Sequence, residues 1–360
     1  MALDDEAIQL SVIDITSDIP VTIIARQLVE AAANNGFFYI KNTGQDIPPS
    51  AIENMFCLSE KFFASPVEEK TACKIHENVN RGWVGMHTET LDAKNQRVGD
   101  FKEAFNLAHF VDGKAQQALP LAFLGHEHEI EQFQQYCYNL VLKILSLLAT
   151  GLEIQAENGG SNWLVSRHRI VGTGSSILRL LHYPPITSDS DYQDDIDIRA
   201  GSHTDYGSIT LLFQRPGQAG LEVLRTQTKL DKEGNEETYS TWEPVSIVPR
   251  GTESDPSPPI LINIGDLLSY WTNNLFKSTI HRVVIPRNGR RGGEDRYSIA
   301  YFGHPIDSTI LEPIPSHKIP TSGGDLLDNQ IGVRAMTAGE HLSKRLKASY
   351  LGICRKGDEK

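Results

Sequence analysis

The sequence predicts a mostly β fold with flanking helices, whose core is a double-stranded β-helix, the jelly roll of cupin-like proteins. Three observations predict it. The second half of the 360-residue chain is a series of short apolar and aromatic runs with Gly, Pro and Asp turns between them, the pattern of a double-sheet β architecture. The first half intersperses helical periodicity with short extended runs, which lays helices over the outside of a sheet. Finally, His203-Thr204-Asp205 and His281 carry metal-binding chemistry at distant points of the chain, and a closed β fold returns one to the other.

Taken in order, 10–15 alternates and reads as a short strand. From Pro20 to Asn35, Ile24, Leu28, Ala31 and Ala32 recur at helical spacing, and Gly36 stops the helix. A strand follows at 37–41. Ser50-Ala-Ile-Glu53 is a capping box for a helix burying Ile52, Met55, Phe56, Phe62 and Phe63, and Ser65-Pro-Val-Glu68 opens another with proline at its first position. Residues 81–87 and 100–106 form an irregular segment that mixes aromatic and polar side chains. The longest helix runs from Glu127 to Leu152, with Ile130, Phe133, Cys137, Leu140, Val141, Ile144 and Leu148 on one stripe. Burying that stripe, at about 1.5–3 kcal/mol per large side chain, holds the helix on the back of the barrel.

Strands are expected at 175–183, 208–214, 221–225, 241–248, 260–264, 278–285 and 296–302. The polar stretches 229–237 and 251–259 read as exposed hairpin tips. The stretch 188–197 contains five Asp but lacks the glycine and terminal Glu of an EF-hand, so it reads as a solvated loop. A last helix over 338–351 carries Leu342, Leu346 and Tyr350 and is expected across the barrel entrance. The expected organisation is an α/β region at 1–120, covering the barrel and shaping the substrate mouth. Residues 121–360 then hold the support helix, jelly-roll core and terminal helix, the whole forming one compact unit.

Composition narrows the function. Hydrophobic residues make up 39% of the chain, as in a soluble globular enzyme. With 34 Lys and Arg against 46 Asp and Glu, the formal net charge is −12, and no basic run is interleaved with aromatics. Nucleic acid and anionic membrane are therefore not expected partners. The first residues lack a basic and apolar leader, and no apolar stretch approaches the roughly 18 residues of a span, so a cytoplasmic location is expected. Cys57, Cys73, Cys137 and Cys354 have neither metal nor redox spacing and read as reduced thiols. Oligomeric state is left open.

The chemistry concentrates in two stretches. If the chain at His203 is extended, His203 and Asp205 share a face and Thr204 points away. A second imidazole from His281, on another strand of the same sheet, completes a two-His-one-carboxylate facial triad with open coordination positions. Open positions are what ferrous iron needs to bind an organic co-substrate and O2. Downstream, Arg296 and Ser298 share a face of an alternating strand, and together they can grip one carboxylate by charge-assisted hydrogen bonds of about 1.5–3 kcal/mol. An acid is expected there, with Tyr183, from a neighbouring strand, as a third donor.

These residues, in this order, resemble the isopenicillin N synthase-like group of the Fe(II)/2-oxoglutarate-dependent oxygenase superfamily. The resemblance extends over nearly the whole chain, through Gly36-Phe-Phe-Tyr-Ile40, Leu261-Ile-Asn-Ile-Gly-Asp266, Trp271-Thr-Asn-Asn274 and Thr337-Ala-Gly-Glu-His-Leu342. It implies that His203, Asp205 and His281 hold Fe(II) and that Arg296, Ser298 and Tyr183 hold 2-oxoglutarate. It also implies O2 as oxidant, with succinate and CO2 released as a small organic metabolite is hydroxylated, desaturated or rearranged; the catalysis is iron-borne, without a separate acid or base. The group's frequent Asn two residues before the Tyr is Leu181 here, which removes a polar contact. Arg179 lies on the same strand face, either suiting an anionic or phenolic substrate or pairing with a nearby Asp. The group's mouth region makes Arg81, His87, Phe105 and Asn106 further candidate substrate contacts.

Other readings stay open at this stage. An oxidase of the isopenicillin N synthase type would dispense with 2-oxoglutarate, and a zinc hydrolase would use the same triad with bound water. A non-enzymatic binding barrel predicts lost ligands, whereas every ligand and the acid anchor are intact. The resemblance is compatible with specialised-metabolite, hormone or nucleobase oxidation.

Overall fold

The computed structural model describes residues 7–75, 80–170, 176–185, 197–230, 236–285, 294–321 and 335–354. In chain order its strands are β1 (Val12–Ile13), β2 (Phe37–Ile40), β3 (Gly82–Val84), β4 (Glu103–Ala108), β5 (Ile177–Tyr183), β6 (Ala200–His203), β7 (Ile209–Gln214), β8 (Leu221–Leu230), β9 (Glu236–Pro244), β10 (Ile260–Ile264), β11 (His281–Val283) and β12 (Arg296–Gly303). The helices are α1 (Val21–Asn34), α2 (Pro49–Phe63), α3 (Val67–Ala72), α4 (Glu127–Gly151), α5 (Asn162–Arg167), α6 (Asp266–Trp271) and α7 (Ala338–Cys354).

Two sheets form the core, one of eight strands in the order β1-β2-β10-β7-β12-β5-β4-β3 and one of four in the order β6-β11-β8-β9. Strand alternation divides the interior in two. On β12, Ile299 and Tyr301 point outward into the large cluster shared with α2 and α4, while Ala300 belongs to a smaller cluster with Leu181, Tyr183, Val223 and Val283 that spans the two sheets. The predicted stripe of α4 is buried at Ile130, Phe133, Cys137, Leu140, Val141, Ile144 and Leu148, so the helix backs the large sheet as its periodicity requires. Gly36 ends α1 with φ of +68°, and a Cβ there would stand 2.1 Å from the carbonyl oxygen of Lys277. Only glycine lets the start of β2 come so close to the segment leading to His281.

Several expectations change in detail. The residues expected to be irregular at 81–87 and 100–106 contribute β3 and β4, which extend the large sheet beyond β5. Helix α2 begins at Pro49 behind Pro48, with no side-chain cap; fixed proline torsions start it ahead of the Ser50 capping box. Strand β8 runs on to Leu230 and pairs with β9, and residues 231–235 of that hairpin lie outside the described residues. So does most of the acidic stretch, but its last residue, Asp197, is fully buried and paired with Arg97 at 2.6 Å rather than solvated. The side chain of Tyr350 lies outside the described residues. Among those residues, no helix is long and apolar enough to cross a membrane.

Candidate active site

Strands β6 and β11 pair antiparallel with His281 directly opposite His203, and their ring centroids lie 4.2 Å apart. Strand β6 ends at His203, so Asp205 arrives by the turn that follows rather than by strand alternation. It converges all the same, with Oδ1 3.9 Å from Nε2 of His203 and 3.8 Å from Nε2 of His281. One donor atom from each of the three residues falls within a 4.8 Å cluster.

Hydrogen bonds fix which atoms face inward. Nδ1 of His203 donates to the carbonyl of Gly201 at 2.7 Å, and Nδ1 of His281 to the carbonyl of Thr279 at 3.1 Å. A carbonyl only accepts, so each imidazole carries its proton on Nδ1 and turns the Nε2 lone pair to the centre. Oδ2 of Asp205 accepts from Thr210 Oγ1 at 2.6 Å and Asn263 Nδ2 at 2.7 Å, which leaves Oδ1 for the centre. Burial, reinforced by the neighbouring His281, pushes His203 down to about 3. Burial resists ionisation of Asp205, but His281 and His203 outweigh it and the carboxyl is held below its usual range. Two imidazoles with Nε2 turned inward and one carboxylate on a common point fit a divalent transition metal with open positions.

Arg296 and Ser298 sit on the inner face of β12, with Arg296 opposite Tyr183 on β5 and Ser298 opposite Leu181. The guanidinium is 2% exposed and lies 4.9 Å over the Tyr183 ring. Its nitrogens donate to the Gln218 carbonyl at 3.0 Å, Ser298 Oγ at 3.3 Å and Gln214 Oε1 at 3.2 Å. Burial lowers its affinity for the proton, with Tyr183 opposing. Among the described residues this buried cation has no carboxylate partner, which is the environment a dicarboxylate co-substrate completes.

A cavity of about 190 Å³ joins the metal donors to Arg296, Ser298 and Tyr183. Arg179 and Leu181 line it, whereas Arg81, His87, Phe105 and Asn106 do not. Phe105 lies on the opposite face of β4, fully buried against Phe62 and Phe123. His87 packs edge-on against Phe101, and its Nδ1 meets the carbonyl of Gly99 at 2.9 Å. Asn106 is buried, donates to Asn80 at 2.7 Å and lies opposite Arg179 in the strand register, so it stands behind the lining rather than in it. Arg179 has its acid, but the partner is Glu89, at 2.5 Å, rather than an Asp.

Glu89 belongs to a buried ionic chain that sequence reasoning did not find. Lys102 lines the cavity beside it, 3.3 Å from Glu89 and also paired with Asp100. Asp100 Oδ1 accepts from Gln96 at 2.8 Å and from the backbone N–H of Gly201 at 3.0 Å. The chain therefore ends on Gly201, the residue whose carbonyl orients His203. Burial resists the charge on Glu89, but Arg179 and Lys102 outweigh it and bring the carboxyl to about 2. A second hub is Asp266, which accepts from Thr204 at 3.0 Å and Ser278 at 2.7 Å and pairs with Arg345 of α7. Leu342 and Leu346 of that helix line the cavity as expected. Asn263 and Asp266 lay in a quoted motif; no pattern in sequence announced Glu89 or Lys102.

Residues 174–305 match the 2OG-Fe(II) oxygenase superfamily, and residues 10–124 match the non-haem dioxygenase in morphine synthesis N-terminal family. The 2-oxoglutarate-dependent dioxygenase gloF of Glarea lozoyensis is 31% identical over 80% of this chain and 84% of its own length. The proline hydroxylase buaE of Petromyces alliaceus is 32% identical over 78% of this chain and 81% of its own. A Neurospora crassa crystal structure in complex with alpha-KG and thymine superposes with a TM-score of 0.72 at 27% identity, covering 96% of this chain and 98% of that one. The chain belongs to the Fe(II)/2-oxoglutarate-dependent oxygenase superfamily and is a non-haem dioxygenase using Fe(II), 2-oxoglutarate and O2.

Proposed function

We propose that His203, Asp205 and His281 hold the iron, and that Arg296, Ser298 and Tyr183 hold the outer carboxylate of 2-oxoglutarate. The oxidised metabolite then sits against Arg179 and Leu181, under Leu342 and Leu346. The observation that carries this reading is Arg296, a buried guanidinium whose described partners are all neutral. A buried cation is costly without a counter-charge, and a dicarboxylate supplies one at the right end of the cavity. When bound, Fe(II) couples decarboxylation of 2-oxoglutarate by O2 to oxidation of a substrate C–H bond.

The protein's own part is orientation. The Gly201 and Thr279 carbonyls aim the two imidazoles, Thr210 and Asn263 keep Asp205 turned inward, and the apolar roof keeps bulk water from the reacting position. The oxidised molecule is a metabolite in a cytoplasmic setting, a reading supported by the free thiols of Cys57, Cys73 and Cys137. Specialised metabolism is supported by the relatives, among them a proline hydroxylase. Residues 1–120 and 121–360 act as one unit, a reading supported by the pairing of β2 with β10 and of β4 with β5.

The test is substrate-triggered succinate release over a metabolite panel, with Fe(II) and air against zinc under argon. Succinate in step with product supports the proposal. Turnover without succinate, or turnover under argon with zinc, overturns it. His203→Ala should abolish both metal uptake and succinate release.

A further inference from the structure

Resting on the reading above, we infer that the metabolite oxidised by this protein carries no net charge and offers the cavity wall both a hydrogen-bond donor and an acceptor. Charge over the described residues of the site is balanced before any substrate enters. Asp205 and the inner carboxylate of 2-oxoglutarate together balance a divalent ion, and the outer carboxylate balances Arg296. What remains ionised is the chain Arg179–Glu89–Lys102 on the wall with Asp100 buried behind Lys102, in which two cations alternate with two anions. Arg179, Glu89 and Lys102 all line the cavity, so an incoming molecule meets cation and anion side by side. None of these three is more than 15% exposed at the side chain.

The sign of Arg179 alone suggested an anionic or phenolic substrate. With Glu89 at 2.5 Å that charge is already compensated. A carboxylate placed there faces Glu89 as well as Arg179, and an ammonium group faces Arg179 and Lys102 as well as Glu89. Either brings an unbalanced charge into a cavity whose lining also includes Ile177, Phe302, Leu342 and Leu346, where desolvation penalises it. An uncharged molecule loses nothing of that kind. It accepts from Arg179 and donates to Glu89 without disturbing the pair.

Three nearly isosteric probes separate the cases: benzamide, benzoate and benzamidine, which are neutral, anionic and cationic. Each is titrated calorimetrically into the full chain loaded with Fe(II) and 2-oxoglutarate under argon, so that binding is read without turnover. Benzamide should bind about tenfold tighter than either ion. Glu89→Gln removes one negative charge and should move the preference to benzoate; Arg179→Gln should move it to benzamidine. A wild-type ranking led by benzoate or benzamidine, binding of none of the three, or folded variants that keep the wild-type order would overturn the inference. Should neither variant fold, the wild-type ranking alone decides. Failure of the chain to take up Fe(II) or 2-oxoglutarate at all would instead overturn the assignment of the site, and it is read before any probe is added.

Discussion

Asn263 donates its side-chain amide to Oδ2 of Asp205 at 2.7 Å, and with Thr210 it determines which carboxylate oxygen faces the two imidazoles. The pair joins β10 to the turn after β6, so the inward aim of the acid depends on a residue remote from it in sequence. Removing such a partner from a metal ligand typically costs about 10–100-fold in metal affinity. Asn263→Ala should therefore weaken Fe(II) or Co(II) binding by about tenfold or more while leaving the fold intact. Calorimetric titration with the metal, alongside a thermal melt, checks it.

Arg296 has its place for a different reason. Charge-assisted hydrogen bonds of about 1.5–3 kcal/mol correspond to roughly 10–100-fold in affinity. Arg296→Ala should raise the KM for 2-oxoglutarate by that factor with metal affinity unchanged. Arg296→Lys keeps the charge but not the planar fork and should recover only part of the loss. Equal damage to metal and co-substrate binding would mean that the residue acts by holding the barrel together.

Glu89 gives a pH signature. Its folded value of about 2 lies below the ordinary 4.5, so the ionised form is favoured by folding. The stabilisation, about 3 kcal/mol, is complete above the unfolded value and disappears as pH falls through the folded one. Glu89→Gln should be less stable than the parent by that order at pH 7, with the gap closing between about pH 4.5 and 2. Urea titrations at several pH values measure it. A gap that widens on acidification would mean that the pair with Arg179 is not what holds the carboxyl ionised.

Gly201 is the joint between the ionic chain and His203. A Cβ on it would stand 2.4 Å from Gln96 Oε1 and 2.7 Å from the backbone nitrogen of Asp92. The Gln96 side chain can yield but the backbone cannot, so Gly201→Ala should push β6 off its neighbours. The expected result is weakened metal binding with only a small change in melting temperature, because β6 is a short strand of the smaller sheet. Metal titration and thermal unfolding on the same preparation separate the two effects.

Much of this molecule could be read from its residues because its chemistry rides on strands. A period of two put Arg296 with Ser298 and Arg179 with Leu181 and Tyr183, and the paired register aligns those rows as expected. The stripe of α4 was equally plain, since seven large side chains at helical spacing have one way to be buried. Phe105 was not plain. Its parity on β4 sends it into the aromatic core beside Phe62, and without knowing that 103–108 is a strand there was no parity to use. Glu89 and Lys102 stayed hidden because they come from irregular chain between β3 and β4 and reach Arg179 and the Gly201 peptide only through tertiary packing. Ser50 misled because local capping chemistry competes with proline torsions, and Pro48 and Pro49 stand first.

The direct pairing of His281 with His203 has a further consequence. Side chains on a strand alternate, so sliding β11 by one residue along β6 would send His281 to the far side of its sheet and bring Arg282 or Ile280 into its position. The site is thus a gauge of alignment between two short strands, and a bound ion would reward only the correct match. Misaligned molecules should be recognisable as a fraction that retains its helices and takes up no iron.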